Sequence, residues 1–149
     1  MFWSETETTV RFNEVDQWGI AWYGNYMAWF EVGRMDLLRR VDLRPDQMEE
    51  LGYIAPVINL SCDYRHPARC GDVIVIRSTV VQPEIAALRF RFEILRKADR
   101  KLLARGETTQ VLLTREGVMI YKVSGRLAER VRHLIDYCQN EHSGPGTNE

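Results

Sequence analysis

Residues 16–40 read DQWGIAWYGNYMAWFEVGRMDLLRR, and this stretch decides the fold. Its apolar stripe recurs at helical spacing, at Tyr26, Trp29, Phe30, Gly33 and Leu37. The pattern predicts a helix over Asn25–Arg40. Asn25 is a suitable N-cap, because its side chain can accept hydrogen bonds from the free amides of the first turn. Gly33 lowers helix stability by about 1 kcal/mol relative to Ala, so we expect another backbone to pass close to it.

The turn before this helix places one carboxylate, Asp16, among aromatic side chains. A carboxylate in that position can act as a general base or as a nucleophile. The amides and the dipole of the helix start can hold a developing negative charge. Together these features indicate acyl chemistry. From the residues alone, the commoner role of an aspartate in a loop, which is to cap the turn, stays open.

Strand patterns occupy most of the remaining chain. The predicted strands are Thr6–Asn13, Ile54–Tyr64, Asp72–Val81, Ala86–Arg96 and Leu102–Thr114, with a short one over Val118–Val123. Further helices are predicted over Pro45–Leu51 and Ser124–Tyr137. Consecutive strands joined by short turns form an antiparallel sheet, and the long apolar helix must pack against it. We therefore predict an α+β domain with a curved antiparallel sheet around one central helix and a C-terminal helix.

Size and charge narrow the functional class. The chain has 149 residues and a net charge of −1. We predict one domain over residues 1–139 and a polar, disordered tail over residues 140–149. The charge does not favour nucleic acid or an anionic membrane as a partner. No apolar run approaches the ~20 residues of a membrane span, and no signal-peptide pattern is present, so we expect a cytoplasmic protein.

The cysteines and histidines do not indicate a metal site. Cys62, Cys70 and Cys138 are an odd number without C-x-x-C spacing, which argues against a disulfide framework and against bound zinc. His66 stands beside Pro67, but no matching nucleophile pattern accompanies it. We interpret His66 as a loop histidine.

Three side chains in and near the turn have structural interpretations, and a fourth is a candidate for ligand binding. Trp22 and Trp29 are predicted to lie in the core, because aromatic clusters are more often core than ligand pocket. Trp18, within the turn, is the better candidate for a pocket wall. Glu14 is interpreted as a solvated charge at the end of a strand.

The stretch Asp16-x-x-Gly19-Ile20-x-Trp22-Tyr23-x-Asn25-Tyr26, followed by Trp29-Phe30-Glu31, resembles the motif of hotdog-fold acyl-CoA thioesterases. It is most similar to the 4-hydroxybenzoyl-CoA thioesterase branch and the related bacterial short acyl-CoA thioesterases. Downstream, Ser61-Cys62-Asp63-Tyr64 and Pro67-Ala68-x-x-Gly71-Asp72 agree in spacing. The resemblance covers residues 8–125 and implies a hotdog fold.

The resemblance also implies roles for individual residues. Asp16 corresponds to the catalytic base or nucleophile, Tyr23 to the residue whose backbone amide polarises the thioester carbonyl, and Glu31 to the helix acid near the acyl pocket. The expected substrate-binding residues are Trp18, Gly19, Gly24, Asn25 and Tyr26. No metal or other cofactor is expected, since coenzyme A is part of the substrate.

A further implication concerns assembly and CoA binding. Relatives form homodimers in which two sheets join edge to edge, often pairing again to homotetramers, with active sites between subunits. The 4-hydroxybenzoyl branch uses basic side chains of one hairpin for the CoA phosphates. That hairpin reads Pro83-Glu84-Ile85-Ala86 here and has no Arg or Lys. Phosphate binding and the identity of the acyl group therefore stay open.

The predicted function is hydrolysis of an acyl-CoA, including an aryl-CoA, to the free acid and CoA. The alternative is a non-catalytic module on the same fold that binds acyl-CoA or an acyl carrier. A hotdog dehydratase resembles a pattern with a histidine in the turn, and residues 14–31 contain none. No helix-turn-helix or basic extension indicates a DNA-binding regulator.

Overall fold

A computed structural model describes residues 1–81 and 86–140. The helices are α1, Asn25–Arg40; α2, Pro45–Glu50; and α3, Gly125–Gln139. The strands are β1, Ser4–Thr9; β2, Tyr53–Ile54; β3, Val57–Tyr64; β4, Val73–Val81; β5, Ala87–Arg96; β6, Leu102–Val111; and β7, Leu113–Thr114. The predicted disordered tail beyond Asn140 and hairpin residues 82–85 lie outside the described residues.

Five strands form the main sheet, in the order β1-β4-β5-β6-β3, and every neighbouring pair is antiparallel. Strands β2 and β7 form a separate two-stranded ribbon. Helix α1 packs on the main sheet, chiefly against β4 and β1. The predicted α+β architecture is confirmed. Among the described residues, β1 and β3 are the edge strands of this sheet, and each has one unpaired side.

Several predicted strand boundaries are wrong. The first strand ends at Thr9 rather than Asn13, because Phe12–Glu14 turns into a short 3-10 helix. Pro56 divides the predicted strand Ile54–Tyr64 into β2 and β3, as expected for a residue that cannot donate to the ladder. The predicted strand over Val118–Val123 reduces to one isolated bridge with Leu113.

Helix α1 has the bounds that its periodicity predicts, and its apolar stripe is buried against the sheet. Phe30 stacks on Phe92 of β5 with ring centroids 4.8 Å apart. Gly33 faces β4, where an added Cβ would lie 2.6 Å from Ile76 Cγ2 and closer still to Ser78 Oγ. The close neighbours of Gly33 are therefore side chains, not the backbone that we predicted.

The opposite face of the sheet is polar. Arg77 bridges Glu5 and Glu93 across three neighbouring strands. Arg89 and Arg91 both pair with Glu107 and keep about half of their side chains exposed. Exposed pairs of this kind contribute little to stability. This surface is a solvated face.

Candidate active site

Hydrogen bonds to the Asp16 side chain and backbone stabilise the turn from Asp16 to Ile20. Asp16 Oδ1 accepts hydrogen bonds from the N–H groups of Trp18, at 2.9 Å, and Ile20, at 3.3 Å. The Asp16 N–H donates to the Ile20 carbonyl at 2.8 Å, and Gly19 supplies a positive φ of 72°. Within the described residues, Asp16 Oδ2 has no partner. One carboxylate oxygen therefore holds the turn, and the other is free.

Glu14 fastens this turn to helix α1. Its carbonyl accepts from the Trp22 N–H at 2.8 Å and from Asn25 Nδ2 at 2.5 Å. Its carboxylate accepts from Trp29 Nε1 at 3.2 Å and from the Arg11 N–H at 2.9 Å. Only 8% of Glu14 is exposed. The prediction of a solvated charge at this position is wrong, because the buried indole needs an acceptor.

The start of α1 presents free donors. Gly24 is the N-cap, so the prediction that Asn25 caps the helix is wrong; the Asn25 side chain donates to Glu14 instead. In the described part of the chain, the N–H groups of Tyr23 and Gly24 have no acceptor. The Tyr23 carbonyl accepts from the Tyr64 hydroxyl at 2.9 Å, which fixes the helix start to the end of β3. Free amides at this place suit a negatively charged oxygen.

Asp16 and the helix start share one open cavity of about 330 Å³. It is lined by Asp16, Ile20, Ala21, Tyr23, Tyr26, Tyr64, Arg65, His66 and Pro67. The two loops that meet there are joined by the Ala21 N–H, which donates to the Ala68 carbonyl at 2.8 Å. The structure thus brings together three predicted site residues, Asp16, Tyr23 and Tyr26.

Other predicted site residues lie outside the cavity lining. Trp18 is 71% exposed, and Gly19, Gly24 and Asn25 shape the turn and the helix start. Glu31 is half exposed on α1, where its carboxylate pairs with Arg34 at 2.5 Å. Within a single chain, Glu31 is not at the Asp16 cavity.

Trp22 and Trp29 were both predicted to lie in the core, but only one of them is buried. Trp29 is in the core, as predicted. Trp22 is 52% exposed, so its prediction as a core residue is wrong. Its ring lies over the face of Gly24, where an added Cβ would collide with it, and beside the Tyr23 ring, with centroids 5.0 Å apart. Trp22 therefore covers the helix start from outside.

Sequence reasoning missed Tyr64, Arg65 and His66 as a group. They follow one another at the end of β3, directly before the turn that begins at Pro67. Partial burial and the neighbouring Cys62 thiol raise the pKa of Tyr64 to about 12. Burial also raises the pKa of Tyr26. The Tyr64 hydroxyl therefore stays protonated at neutral pH and donates its hydrogen bond to the Tyr23 carbonyl.

A larger cleft, of about 470 Å³, lies between α2 and α3 and is lined mainly by charged side chains of both signs. Neither the Asp16 turn nor the start of α1 contributes to its lining. Among the described residues, no group of three or more His, Cys, Asp and Glu side chains is placed to hold a metal ion. No described helix is both long and apolar enough to span a bilayer.

The sequence and the fold both match known proteins. The model of the family described as the thioesterase-like superfamily matches residues 10–129. Over 77 residues the chain is 34% identical to YneP of Bacillus subtilis, a candidate acyl-CoA thioesterase, and the match covers 52% of this chain and 56% of that protein. With a second relative, an esterase candidate of Synechocystis, the coverage is 61% and 54%. The chain thus spans about half the length of these curated relatives.

Solved structures show the fold. The 1,4-dihydroxy-2-naphthoyl-CoA thioesterase Slr0204 of Synechocystis has a TM-score of 0.79 at 19% identity, with 92% of this chain and 98% of that chain covered. The DHNA-CoA thioesterase of Staphylococcus aureus has a TM-score of 0.74 at 26% identity, with 81% of each chain covered. The predicted hotdog fold is confirmed.

Proposed function

Because this chain belongs to the thioesterase-like superfamily, we propose that it hydrolyses an acyl-CoA thioester to the free acid and CoA. One observation carries the proposal. Asp16 Oδ2 and the Tyr23 N–H group both lack partners in the described chain, and their residues line the same cavity. The names of the similar proteins support it. A cytoplasmic location stays a prediction.

Two mechanisms are compatible with this arrangement of Asp16 and the amides at the start of α1. In the first, Asp16 takes a proton from water while the water oxygen attacks the thioester carbonyl carbon. The N–H groups of Tyr23 and Gly24 stabilise the resulting oxyanion, and one such donor is worth about 3 kcal/mol of barrier. The C–S bond then breaks, and the CoA thiolate takes up the proton from Asp16. In the second, Asp16 attacks the carbonyl carbon itself, the C–S bond breaks and CoA leaves as the thiolate. Water then hydrolyses the mixed anhydride, which releases the free acid and regenerates the Asp16 carboxylate.

Arg65 is our assignment for the CoA phosphates. It lines the Asp16 cavity and is exposed. Its closest acidic partner in the described chain is Asp63, at a loose 4.0 Å. A guanidinium with free donors matches phosphate oxygens well. Arg65 therefore takes over the role that basic hairpin residues have in the 4-hydroxybenzoyl branch.

A second copy of the chain completes the site in this proposal. Strand β3 has one unpaired edge, and exposed apolar side chains are frequent along it: Val57, Ile58, Leu60 and Tyr64. An exposed, apolar edge strand readily pairs with another chain. A two-fold axis through the centre of β3 joins two sheets in antiparallel fashion. The Asp16 cavity, which includes Tyr64, then borders the partner.

Replacement of Asp16 by Asn tests the proposal. Asparagine keeps an oxygen for the Trp18 and Ile20 amides but cannot take a proton, so the fold should be kept. We expect CoA release to fall by about 10²- to 10⁴-fold, with an unchanged thermal unfolding midpoint. Asp136→Asn, an exposed change on α3, is the control. An Asp16→Asn variant that releases CoA as fast as the parent would show that the mechanism is wrong.

The binding-module alternative predicts a different result from the same assay. A panel of acyl-CoAs is incubated with the parent protein, and free thiol and bound ligand are both measured. Tight binding of an acyl-CoA without release of CoA would favour the module over the enzyme.

A further inference from the structure

Tyr64, the last residue of β3, reaches from the edge of the sheet to the start of α1. Its hydroxyl donates to the Tyr23 carbonyl at 2.9 Å. A second donor in the described chain, the Tyr26 N–H, lies 3.4 Å from the same oxygen, which is longer than a usual backbone hydrogen bond. Tyr64 is therefore the closer of these two partners of the Tyr23 carbonyl.

The Tyr64 side chain is held in this position by its neighbours. Its ring packs edge to face on the ring of Tyr26, with centroids 4.9 Å apart, and Tyr26 is itself buried. Partial burial and the Cys62 thiol beside the hydroxyl raise the pKa of Tyr64 to about 12. The hydroxyl therefore keeps its proton near neutral pH, and Tyr64 is the donor in its bond to the carbonyl.

Other hydrogen bonds already hold the segment that leads into α1. The Trp22 N–H donates to the Glu14 carbonyl at 2.8 Å. The Ala21 N–H donates to the Ala68 carbonyl, also at 2.8 Å. These backbone bonds do not involve Tyr64, so removal of its hydroxyl should leave the helix start in place.

The Tyr23 carbonyl belongs to the same peptide unit as the Gly24 N–H, which has no acceptor in the described chain. The peptide bond is planar and conjugated, so a hydrogen bond to the carbonyl oxygen draws electron density from the nitrogen. Hydrogen bonds in series strengthen one another in this way by about 10–30% each. Bonds to a charged acceptor are also the stronger ones, so an oxyanion gains more from the polarised N–H than an uncharged thioester does.

We propose that Tyr64 is a positioning residue whose hydroxyl orients and polarises the Tyr23–Gly24 peptide, and thereby strengthens the Gly24 N–H as a donor to the oxyanion. This inference rests on the proposed hydrolysis. Tyr64 acts on the transition state through the peptide bond and does not touch the reacting atoms. Because the uncharged substrate gains little from the polarised N–H, Tyr64 affects the rate of the chemical step rather than substrate binding.

Two changes at Tyr64 with opposite effects on the hydroxyl test the inference, using the acyl-CoA that the parent hydrolyses fastest. Tyr64→Phe keeps the ring and its contact with Tyr26 but removes the donor. We expect the single-turnover rate at saturating substrate to fall by about three- to tenfold, with half-saturation within about twofold of the parent. In Tyr64→3-fluorotyrosine the phenol is more acidic and a stronger donor, so the same rate should rise above the parental value.

The Gly24 amide provides a readout that does not depend on activity. The chain has ten glycines, so the amide spectrum of protein labelled with ¹⁵N-glycine is simple. Loss of electron density from the nitrogen moves its resonance downfield. The Gly24 resonance should therefore move upfield in Tyr64→Phe and downfield in Tyr64→3-fluorotyrosine. Tyr121, which is 83% exposed, provides the control: Tyr121→Phe should leave both the rate and this resonance unchanged.

The outcomes separate this inference from the function on which it rests. Absence of CoA release by the parent from every acyl-CoA overturns the proposed hydrolysis, and this inference with it. Hydrolysis that Tyr64→Phe leaves at the parental single-turnover rate overturns the inference alone. Equal losses of rate in Tyr64→Phe and Tyr64→3-fluorotyrosine, or a Gly24 resonance that both variants leave in place, overturn it in the same way.

Discussion

The two carboxylate oxygens of Asp16 have different roles, one structural and one proposed to be catalytic. Oδ1 holds the turn by accepting two backbone N–H groups, and Oδ2 is free to meet water or substrate. The same residue thus fixes its own position, because the hydrogen bonds that orient the carboxylate come from Trp18 and Ile20, two and four residues later. Orientation of this kind limits the motion of a catalytic group before substrate arrives.

Arg65 gives a residue-scale prediction for CoA binding. Arg65→Ala should raise KM for acyl-CoA by about tenfold, because a charge-assisted contact to phosphate is worth about 1.5–3 kcal/mol. kcat should change little, since the guanidinium is not assigned to the reacting atoms. Steady-state kinetics with an acyl-CoA and with the matching acyl-N-acetylcysteamine, which has no phosphates, provide the measurement.

The truncated thioester is the internal control for Arg65. Its KM should be the same for the parent and for Arg65→Ala, because no phosphate is present to be lost. Arg105→Ala, which removes an exposed arginine of β6 outside the Asp16 cavity, should leave both substrates unaffected. Equal losses with both substrates would contradict the assignment of Arg65 to phosphate.

The sequence revealed the part of the site that is local in the chain. Asp16, Tyr23 and Tyr26 lie within eleven residues, so one turn and one helix start bring them together. Tyr64, which ends β3, reaches the same cavity only through strand order and loop contacts. Such a contact has no local periodicity to reveal it. Glu14 was misinterpreted for the same reason, since its partner Trp29 lies fifteen residues later.

At the scale of elements, the contact between α1 and β4 sets how closely the helix approaches the sheet. Gly33 allows this approach, because a Cβ there would press on Ile76 and Ser78. Helix propensity alone predicts that Gly33→Ala stabilises the protein by about 1 kcal/mol. Overpacking predicts the opposite sign and a cost of about 1–3 kcal/mol. We expect destabilisation, measured as a lower urea midpoint.

A second variant separates packing from helix propensity at Gly33. Ser78→Gly removes the closest side chain, although Ile76 remains in place. The loss caused by Gly33→Ala should therefore be smaller in the Ser78→Gly background than in the parent. A double-mutant cycle from four unfolding curves measures this coupling. A higher midpoint for Gly33→Ala in the parent background would contradict the steric explanation.

Elements with a strong single signal were predicted best. Helix α1 has a sustained apolar stripe, and its bounds match the prediction. The predicted strand boundaries were wrong where a non-local contact or a single residue determines where the strand ends. Pro56 interrupts a strand, and the Glu14 carboxylate draws Phe12–Glu14 out of the first strand by accepting from Arg11. Tertiary contacts of this kind outweigh the intrinsic preference of a residue for β-strand.

At the scale of the whole molecule, the outer face of the main sheet and the free edge of β3 differ in charge and in polarity. Its outer face is covered by cross-strand ion pairs, such as those of Arg77 with Glu5 and Glu93. Stacking two sheets through this face would remove water from many charges, which is costly. The free edge of β3 offers unpaired backbone groups and apolar side chains instead. We therefore expect a dimer joined through β3 rather than a tetramer of stacked sheets.

A charge on β3 tests this assembly. Ile58 on β3 and Val118 in the loop after β7 are each 61% exposed, which makes them a matched pair. Ile58→Lys should yield a monomer in light scattering and reduce CoA release by about tenfold or more, because an edge lysine opposes strand pairing. Val118→Lys should leave mass and activity unchanged. A fully active Ile58→Lys monomer would mean that each chain works alone.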